Sequence, residues 1–410
     1  MPGTTTIFKL RSVIDEHFPA ALRLLRELVE IGSWSLDPEG VNRVGDVLAD
    51  RFAELGFAAE RVQAADPRCG QHLFLSKPGT GHVALLLVGH LDTVYSDDEL
   101  ERHGFRWRED GDRIFGPGTV DIKGGNAMIW LVLTALREAE PDFFEAVHWQ
   151  VHFNAAEELL GADFAETSRK RLPAATRAAL VFEFGTAAGR EWKILTGRKG
   201  RVRLRIRVEG RSAHAGHPEL GASAVRQIAE LVPKIEALTD PVRGLTANVG
   251  VIRGGEATNV VPHHAEAELE IRARDNVDLD GAMVEIQALG GKGTVSTSAG
   301  DFTCRVHVEL VDRIDAWNSA NPASQPLLEV WRKAGHLLGL QIDGYERGGL
   351  SDGNFLAAAG IPTLDGLGPD GGNLHSAQRD DEAGHEPEFV RIDTFAEKAL
   401  LNALAMRSLG

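Results

Sequence analysis

Val83-Ala84-Leu85-Leu86-Leu87-Val88-Gly89-His90-Leu91-Asp92 places six apolar residues in a row, closes on a glycine and delivers a histidine and an aspartate. The run falls far short of the ~20 residues a membrane span needs, and it is unbroken where a half-exposed strand would alternate. It therefore reads as a short strand covered on both faces, the kind found in parallel sheets. Val147 to Phe153 and Ala179 to Phe184 read the same way, with helical stretches between them. Strands alternating with helices imply an α/β domain with a mixed, mostly parallel sheet flanked by helices, whose ligand sites lie beyond the carboxyl ends of the strands. Upstream, Val41, Val44, Val47, Leu48, Phe52 and Leu55 recur at helical spacing, with Asp37-Pro38 as a start and Gly56 as a stop.

After about Thr196 the period changes. Val202, Leu204, Ile206 and Val208 alternate with Arg201, Arg203, Arg205, Arg207 and Glu209, and a second alternating run sets Ala265, Ala267, Leu269 and Ile271 against Glu266, Glu268 and Glu270. Acid facing base on neighbouring strands predicts a solvated sheet face, each ion pair contributing a few tenths of a kcal/mol. A helix over Ala222 to Leu238 and a strand over Cys304 to Leu310 complete an α+β insert. From about Trp317 the chain returns to helix, Leu327 to Leu338, so the α/β domain is interrupted and resumed. The expected division is a discontinuous domain of residues 1–196 and 312–410, with an inserted domain of residues 197–311.

The 410 residues carry 44 Lys plus Arg against 60 Asp plus Glu, a net charge of −16 that repels phosphate backbones and anionic bilayers. Nucleic acid and membrane are excluded as partners on that ground. Cys69 and Cys304 are too few for a disulfide framework or a four-cysteine metal site. Met1 to Ile31 has no apolar core of signal-peptide length, because Asp15, Glu16, His17, Arg23 and Arg26 interrupt it. A cytoplasmic location is expected.

The chemistry gathers at strand ends and loops. His90 is a good metal ligand in its neutral form, and Asp92, two residues on, can fix its tautomer. Asp121 stands among glycines in Gly116-Pro117-Gly118-Thr119-Val120-Asp121-Ile122-Lys123-Gly124-Gly125, where backbone must pass close to something bound. That stretch lacks the spacing of a phosphate loop. Glu157 and Glu158 follow the second strand, and adjacent carboxylates there are costly without a compensating cation. Glu183 lies within an apolar run, where an unpaired carboxylate is costly too. His375 arrives late, in Gly371-Gly372-Asn373-Leu374-His375-Ser376. Two histidines and three carboxylates suit a pair of zinc ions sharing one bridging carboxylate.

In order, His90-x-Asp92, Asp121-x-Lys123-Gly124-Gly125, Glu157-Glu158, Glu183 and His375 resemble the cocatalytic dizinc aminoacylase and carboxypeptidase family, peptidase family M20. The resemblance covers nearly the whole chain and implies a zinc-peptidase-like catalytic domain with an inserted lid and dimerisation domain. It implies two zinc ions per chain, with cobalt or manganese as substitutes. His90 and Glu183 would hold one ion, Glu158 and His375 the other, and Asp121 would bridge. Glu157 would be the general base and Asp92 would orient His90. His214, in Gly210-Arg211-Ser212-Ala213-His214-Ala215-Gly216, resembles the lid histidine that reaches the partner subunit's site in a homodimer. Asn259 and Arg272 would clasp the substrate's free carboxylate, with Gly371 and Gly372 in a backbone loop nearby.

Gly348 to Asn354 and Pro362 to Pro369 resemble the glutamate carboxypeptidase branch. The expected activity is thus hydrolysis of the amide bond of a C-terminal amino acid in a small peptidyl or N-acyl substrate. Two alternatives stand beside it: an N-acyl-amino-acid deacylase of the acetylornithine deacetylase kind, and a catalytically silent metal-dependent binding protein, against which the intact Glu157 argues. One departure from the family pattern bears on the pocket. Ala377 to Pro387, rich in acids, intervene between His375-Ser376 and Glu388-Phe389-Val390.

Overall fold

In the computed structural model, which describes residues 4–318, 323–380 and 382–410, the opening run forms the strand Ala84–His90, buried at every position. Leu85 and Leu87 pack into one apolar cluster, while Leu86 and Val88 pack into another on the opposite face. Coverage on both faces is why the run shows no polar alternation. The strand pairs in parallel with His148–Asn154 on one side and Thr176–Val181 on the other. The full order is Ala58–Gln63, Gln71–Lys77, His148–Asn154, Ala84–His90, Thr176–Val181, Thr363–Leu364. The first two pairings are antiparallel and the other three parallel, giving the mixed, mostly parallel sheet expected. Because neighbouring parallel strands end on one edge of the sheet, His90, the turn after Asn154 and the segment after Val181 emerge side by side.

The helix Gly124–Ala139 is buried around nearly its whole circumference. It packs against Thr4–Val29 and Phe395–Arg407 as well as the sheet, so an all-round apolar sequence is what its position demands. The helix Pro38–Ala53 starts with proline at its first turn and is followed by Gly56 at φ +87°, a conformation that favours glycine. One expectation shifts. The third parallel strand ends at Val181, so Glu183 lies just past the strand, although Phe182 N–H still donates to Val88 O.

The chain divides into two compact units, Met1–Thr196 with Ser319–Glu346 and Ser351–Gly410, and Gly197–Asn318 with Arg347–Leu350. The second is a five-stranded antiparallel sheet ordered Thr246–Gly254, His264–Ala273, Gly200–Glu209, Thr303–Ile314, Gly291–Ser296. Val202, Leu204, Ile206 and Val208 face Ile228, Leu231, Leu279 and Ile286, which come from the helices Ala224–Glu236 and Asn276–Gln287. The arginines occupy the other face. Arg205 meets Glu268 at 3.6 Å, as the alternating runs lead one to expect, but Arg207 meets Glu309 at 3.2 Å and Arg201 meets Asp312 at 3.2 Å. Gly200–Glu209 is the central strand, so its arginines find acids on both neighbours.

Cys69 and Cys304 are buried and free. Among the described residues no helix is long and apolar enough to cross a membrane.

Lys398, on the helix Phe395–Arg407, is 2% exposed, and its Nζ has no hydrogen-bond partner among the described residues. Burial pushes its pKa down to about 8, against the opposing field of Asp370. A cation with a depressed folded pKa destabilises the fold fully below pH 8, and the penalty disappears as pH rises through 10.5. Lys398→Met is therefore expected to stabilise the protein at pH 7, by at most roughly 3 kcal/mol. In denaturant titrations the gap from wild type should close between pH 8 and 10.5; a gap independent of pH would remove the buried charge as its cause.

Candidate metal centre

Three strand ends and two loops build the site. His90 is the last residue of its strand, and its Nδ1 lies 2.9 Å from the carbonyl oxygen of Asp92. A carbonyl only accepts, so Nδ1 carries the proton and Nε2 is the nitrogen turned to the cluster. That Nε2 lies 3.0 Å from Asp121 Oδ1 and 3.6 Å from Glu183 Oε1. The other oxygen of Asp121, Oδ2, lies 3.2 Å from His375 Nε2, which is also 3.2 Å from Glu158 Oε2. Two triads result, His90, Asp121, Glu183 and Asp121, Glu158, His375, each with its candidate ligand atoms within 4.8 Å of one another. Asp121 belongs to both and offers a different oxygen to each.

Asp92 does more here than stand beside His90. Its carboxylate lies 3.4 Å from His90 Nδ1, farther than its own carbonyl. Its oxygens accept the backbone N–H groups of Glu157 at 3.1 Å and Glu158 at 3.2 Å, and the Ser35 hydroxyl at 2.7 Å. One carboxylate thus ties the His90 turn to the turn that presents both glutamates. Asn126 adds a bond from Nδ2 to His90 O at 2.7 Å. His375 and Asn373 both adopt φ near +60°, unusual for side-chain-bearing residues, and such strain persists where surrounding structure enforces it.

The electrostatics describe a cluster short of positive charge. Burial opposes a charged His90, but hydrogen bonds to Asp121 and Asp92 and the fields of Glu157 and Glu183 outweigh it and hold its pKa well above the ordinary value. Hydrogen bonds to Asp121 and Glu158 push His375 up to about 11. Burial raises Glu157, with Glu183 and Glu158 adding to it, and burial with the nearby Asp121 raises Glu158. Protons thus gather where cations are wanted. Two imidazoles and three carboxylates in overlapping triads form a donor set suited to two divalent ions.

Gly371 and Gly372 form a short strand against Phe389–Arg391. A Cβ on Gly371 would stand 2.2 Å from Phe389 O and 2.7 Å from the Val120 side chain, so close backbone approach requires glycine there. In the other unit, His214 Nδ1 accepts from Gly216 N–H at 3.0 Å, and Ala215 N–H donates to Asn259 O at 2.9 Å, setting the His214 and Asn259 segments side by side. Arg272 directs Nε to Glu270 Oε1 at 2.8 Å and Nη1 to Gly348 O at 3.2 Å.

Two participants in this site carry little signal in the sequence. Ser35 has no local pattern around it. Glu388, fully buried, accepts Tyr95 OH at 2.7 Å and the N–H groups of Val120 and Asp121 at 2.9 and 3.0 Å, and burial with the field of Asp121 raises its pKa to about 7. Its one signal is an acid lodged beside Phe389-Val390.

Residues 196–295 match the family model for the M20 peptidase dimerisation domain. Along 416 aligned residues the chain is 28% identical to carboxypeptidase G2 of Pseudomonas sp. (strain RS-16), covering 98% of this chain and 91% of that protein. It is 29% identical to an acetylornithine deacetylase of Klebsiella pneumoniae (strain 342), over 67% of this chain and 74% of that one. The solved structure of an M20 family metallo-carboxypeptidase from Sulfolobus solfataricus superposes with a TM-score of 0.63 at 17% identity, covering 95% of this chain and 98% of that one. Fold, donor cluster and relatives make the chain an enzyme of the metallopeptidase and amidohydrolase class. Within that class it is related to the M20 peptidases, as the order of its motifs implies.

Proposed function

We propose that the chain is a dizinc hydrolase that releases a C-terminal amino acid of the glutamate type from peptidyl or N-acyl substrates, and that it works as a homodimer. The unit of Met1–Thr196, Ser319–Glu346 and Ser351–Gly410 would be its catalytic domain and Gly197–Asn318 with Arg347–Leu350 its lid, whose strand Thr303–Ile314 runs past the boundary at 311 that the sequence suggests. The supporting observation is Asp121, whose two oxygens face two different histidines 3.0 and 3.2 Å away, the arrangement a bridging carboxylate requires.

His90 and Glu183 would hold one ion, and Glu158 and His375 the other. When bound, zinc would polarise the scissile carbonyl and bring the pKa of a water towards ~7. Glu157 takes a proton from the attacking water on its carboxylate and passes it to the leaving amine. His214 has Nδ1 engaged as an acceptor, so its neutral ring carries the proton on Nε2, a donor for the developing oxyanion. The Arg272 guanidinium and the Asn259 amide clasp the substrate's free carboxylate, and the backbone at Gly371 and Gly372 lines its approach.

The likeness to acetylornithine deacetylase favours a second reading in which the acyl group, rather than a peptide, is recognised. Two measurements test these readings. Elemental analysis of the purified protein should find close to two zinc ions per chain, and chelation should abolish turnover; a chain that stays active without metal overturns the site. On a panel of acyl-glutamate, acyl-aspartate, acyl-aromatic and acetylated amino acids, acyl-glutamate should be cleaved fastest. Preference for acetylated substrates regardless of their side chain would select the second reading.

A further inference from the structure

Glu388 follows the acid-rich stretch Ala377 to Pro387, and it touches both loops of the metal centre. Its Oε1 accepts two consecutive backbone N–H groups, Val120 at 2.9 Å and Asp121 at 3.0 Å. Its Oε2 accepts the hydroxyl of Tyr95, 1% exposed, at 2.7 Å. Its own N–H donates to Ser376 O at 2.8 Å, one residue after His375. Ala377 to Pro387 thus leave and return at adjoining points, their tip closed by reciprocal bonds between Asp380 and His385 at 2.8 Å.

Val120 and Asp121 are buried, so without Glu388 two neighbouring N–H groups would lose their acceptor, at the cost that attends orphaned buried donors. The peptide they flank carries the one carboxylate shared by both triads. A tilt of that peptide swings Oδ1 and Oδ2 together, moving the bridge relative to His90 and His375 at once.

We propose that Glu388 is a positioning residue for the metal pair: its Oε1 holds the peptide of Asp121, and its main chain holds the loop of His375, so that the two triads keep their shared oxygen geometry. The inference rests on reading Asp121 as the bridge. Partners of this kind behind metal ligands typically contribute 10–100-fold to metal affinity or activity.

The test compares Glu388→Asp, whose shorter side chain keeps the charge and withdraws the oxygen, with Glu388→Gln, whose amide oxygen still reaches both N–H groups. Zinc affinity is read by competition with a chromophoric chelator on the full-length protein, and site geometry by the visible absorption of the cobalt-substituted form. Glu388→Asp should bind the metal pair 10–100-fold more weakly with an altered cobalt spectrum, and Glu388→Gln should restore affinity to within a few-fold of wild type with a native spectrum. Wild-type affinity and spectrum in Glu388→Asp would overturn the placement of Glu388 while leaving the metal site standing. Equal loss in Glu388→Gln would overturn it also, since charge rather than reach would then be at work. A wild-type chain that binds no metal would overturn the reading of the site and this inference with it.

Discussion

Glu157→Gln should retain both metal ions and the native fold and lose roughly 10²–10⁴-fold in kcat, the usual contribution of a general base. The neutral amide fills the same volume in a position only 7% exposed but cannot accept the proton of the attacking water. Glu158→Gln should do the opposite, weakening metal binding, because Glu158 Oε2 lies 3.2 Å from His375 in the triad completed by Asp121, a triad that leaves Glu157 out. Both side chains spring from one turn whose N–H groups are held by Asp92, so the contrast isolates where each carboxylate points. Metal analysis beside steady-state kinetics decides it. Glu157→Gln that sheds metal, with Glu158→Gln metal-replete and inert, would exchange the two roles.

His214→Ala is expected to lower kcat by about 10²–10³-fold, the usual effect of deleting one oxyanion donor, with metal content unchanged. In the proposed homodimer that histidine serves the neighbouring subunit. Mixing His214→Ala chains with Glu157→Gln chains should then rebuild one competent site per heterodimer, since intact copies of both residues meet across the interface. Recovered activity after proven subunit exchange is the expected result. A mixture that stays inactive would move His214 out of the partner's site.

Much of the architecture is legible from period alone, because its strands are short and their burial is extreme. An unbroken apolar run such as Val83 to Val88 has few outcomes other than a strand with both faces covered, and strict alternation from Arg201 to Val208 has few other than a one-faced sheet. Where period carries no information, less can be read. Alternation pairs the arginines with Glu266, Glu268 and Glu270 but does not reveal that Thr303–Ile314 flanks the same strand and supplies Glu309 and Asp312. It also runs the third strand through Glu183, since Phe182 and Phe184 look like continuation, whereas the ladder stops at Val181. The structure brings together the five candidate ligands that motif order singles out. Their supports, Ser35 behind Asp92 and Glu388 behind Asp121, are 57 and 267 residues from the groups they hold; Ser35 has no local pattern, and the acid beside Phe389-Val390 does not by itself say which group it holds.

The helix Gly124–Ala139 has a consequence for biosynthesis. It is apolar around its circumference, yet one of the helices that covers it, Phe395–Arg407, is translated some 250 residues later, after an entire second unit. During elongation the ribosome therefore exposes a nascent α/β half with an uncovered flank while the intervening antiparallel unit, whose apolar cluster is drawn from its own strands and helices, can collapse on its own. An exposed apolar helix awaiting a distant partner is the species on which chaperones act and from which aggregates grow. Yield in a heterologous host should accordingly respond to growth temperature and chaperone supply more than the thermal stability of the finished enzyme would suggest.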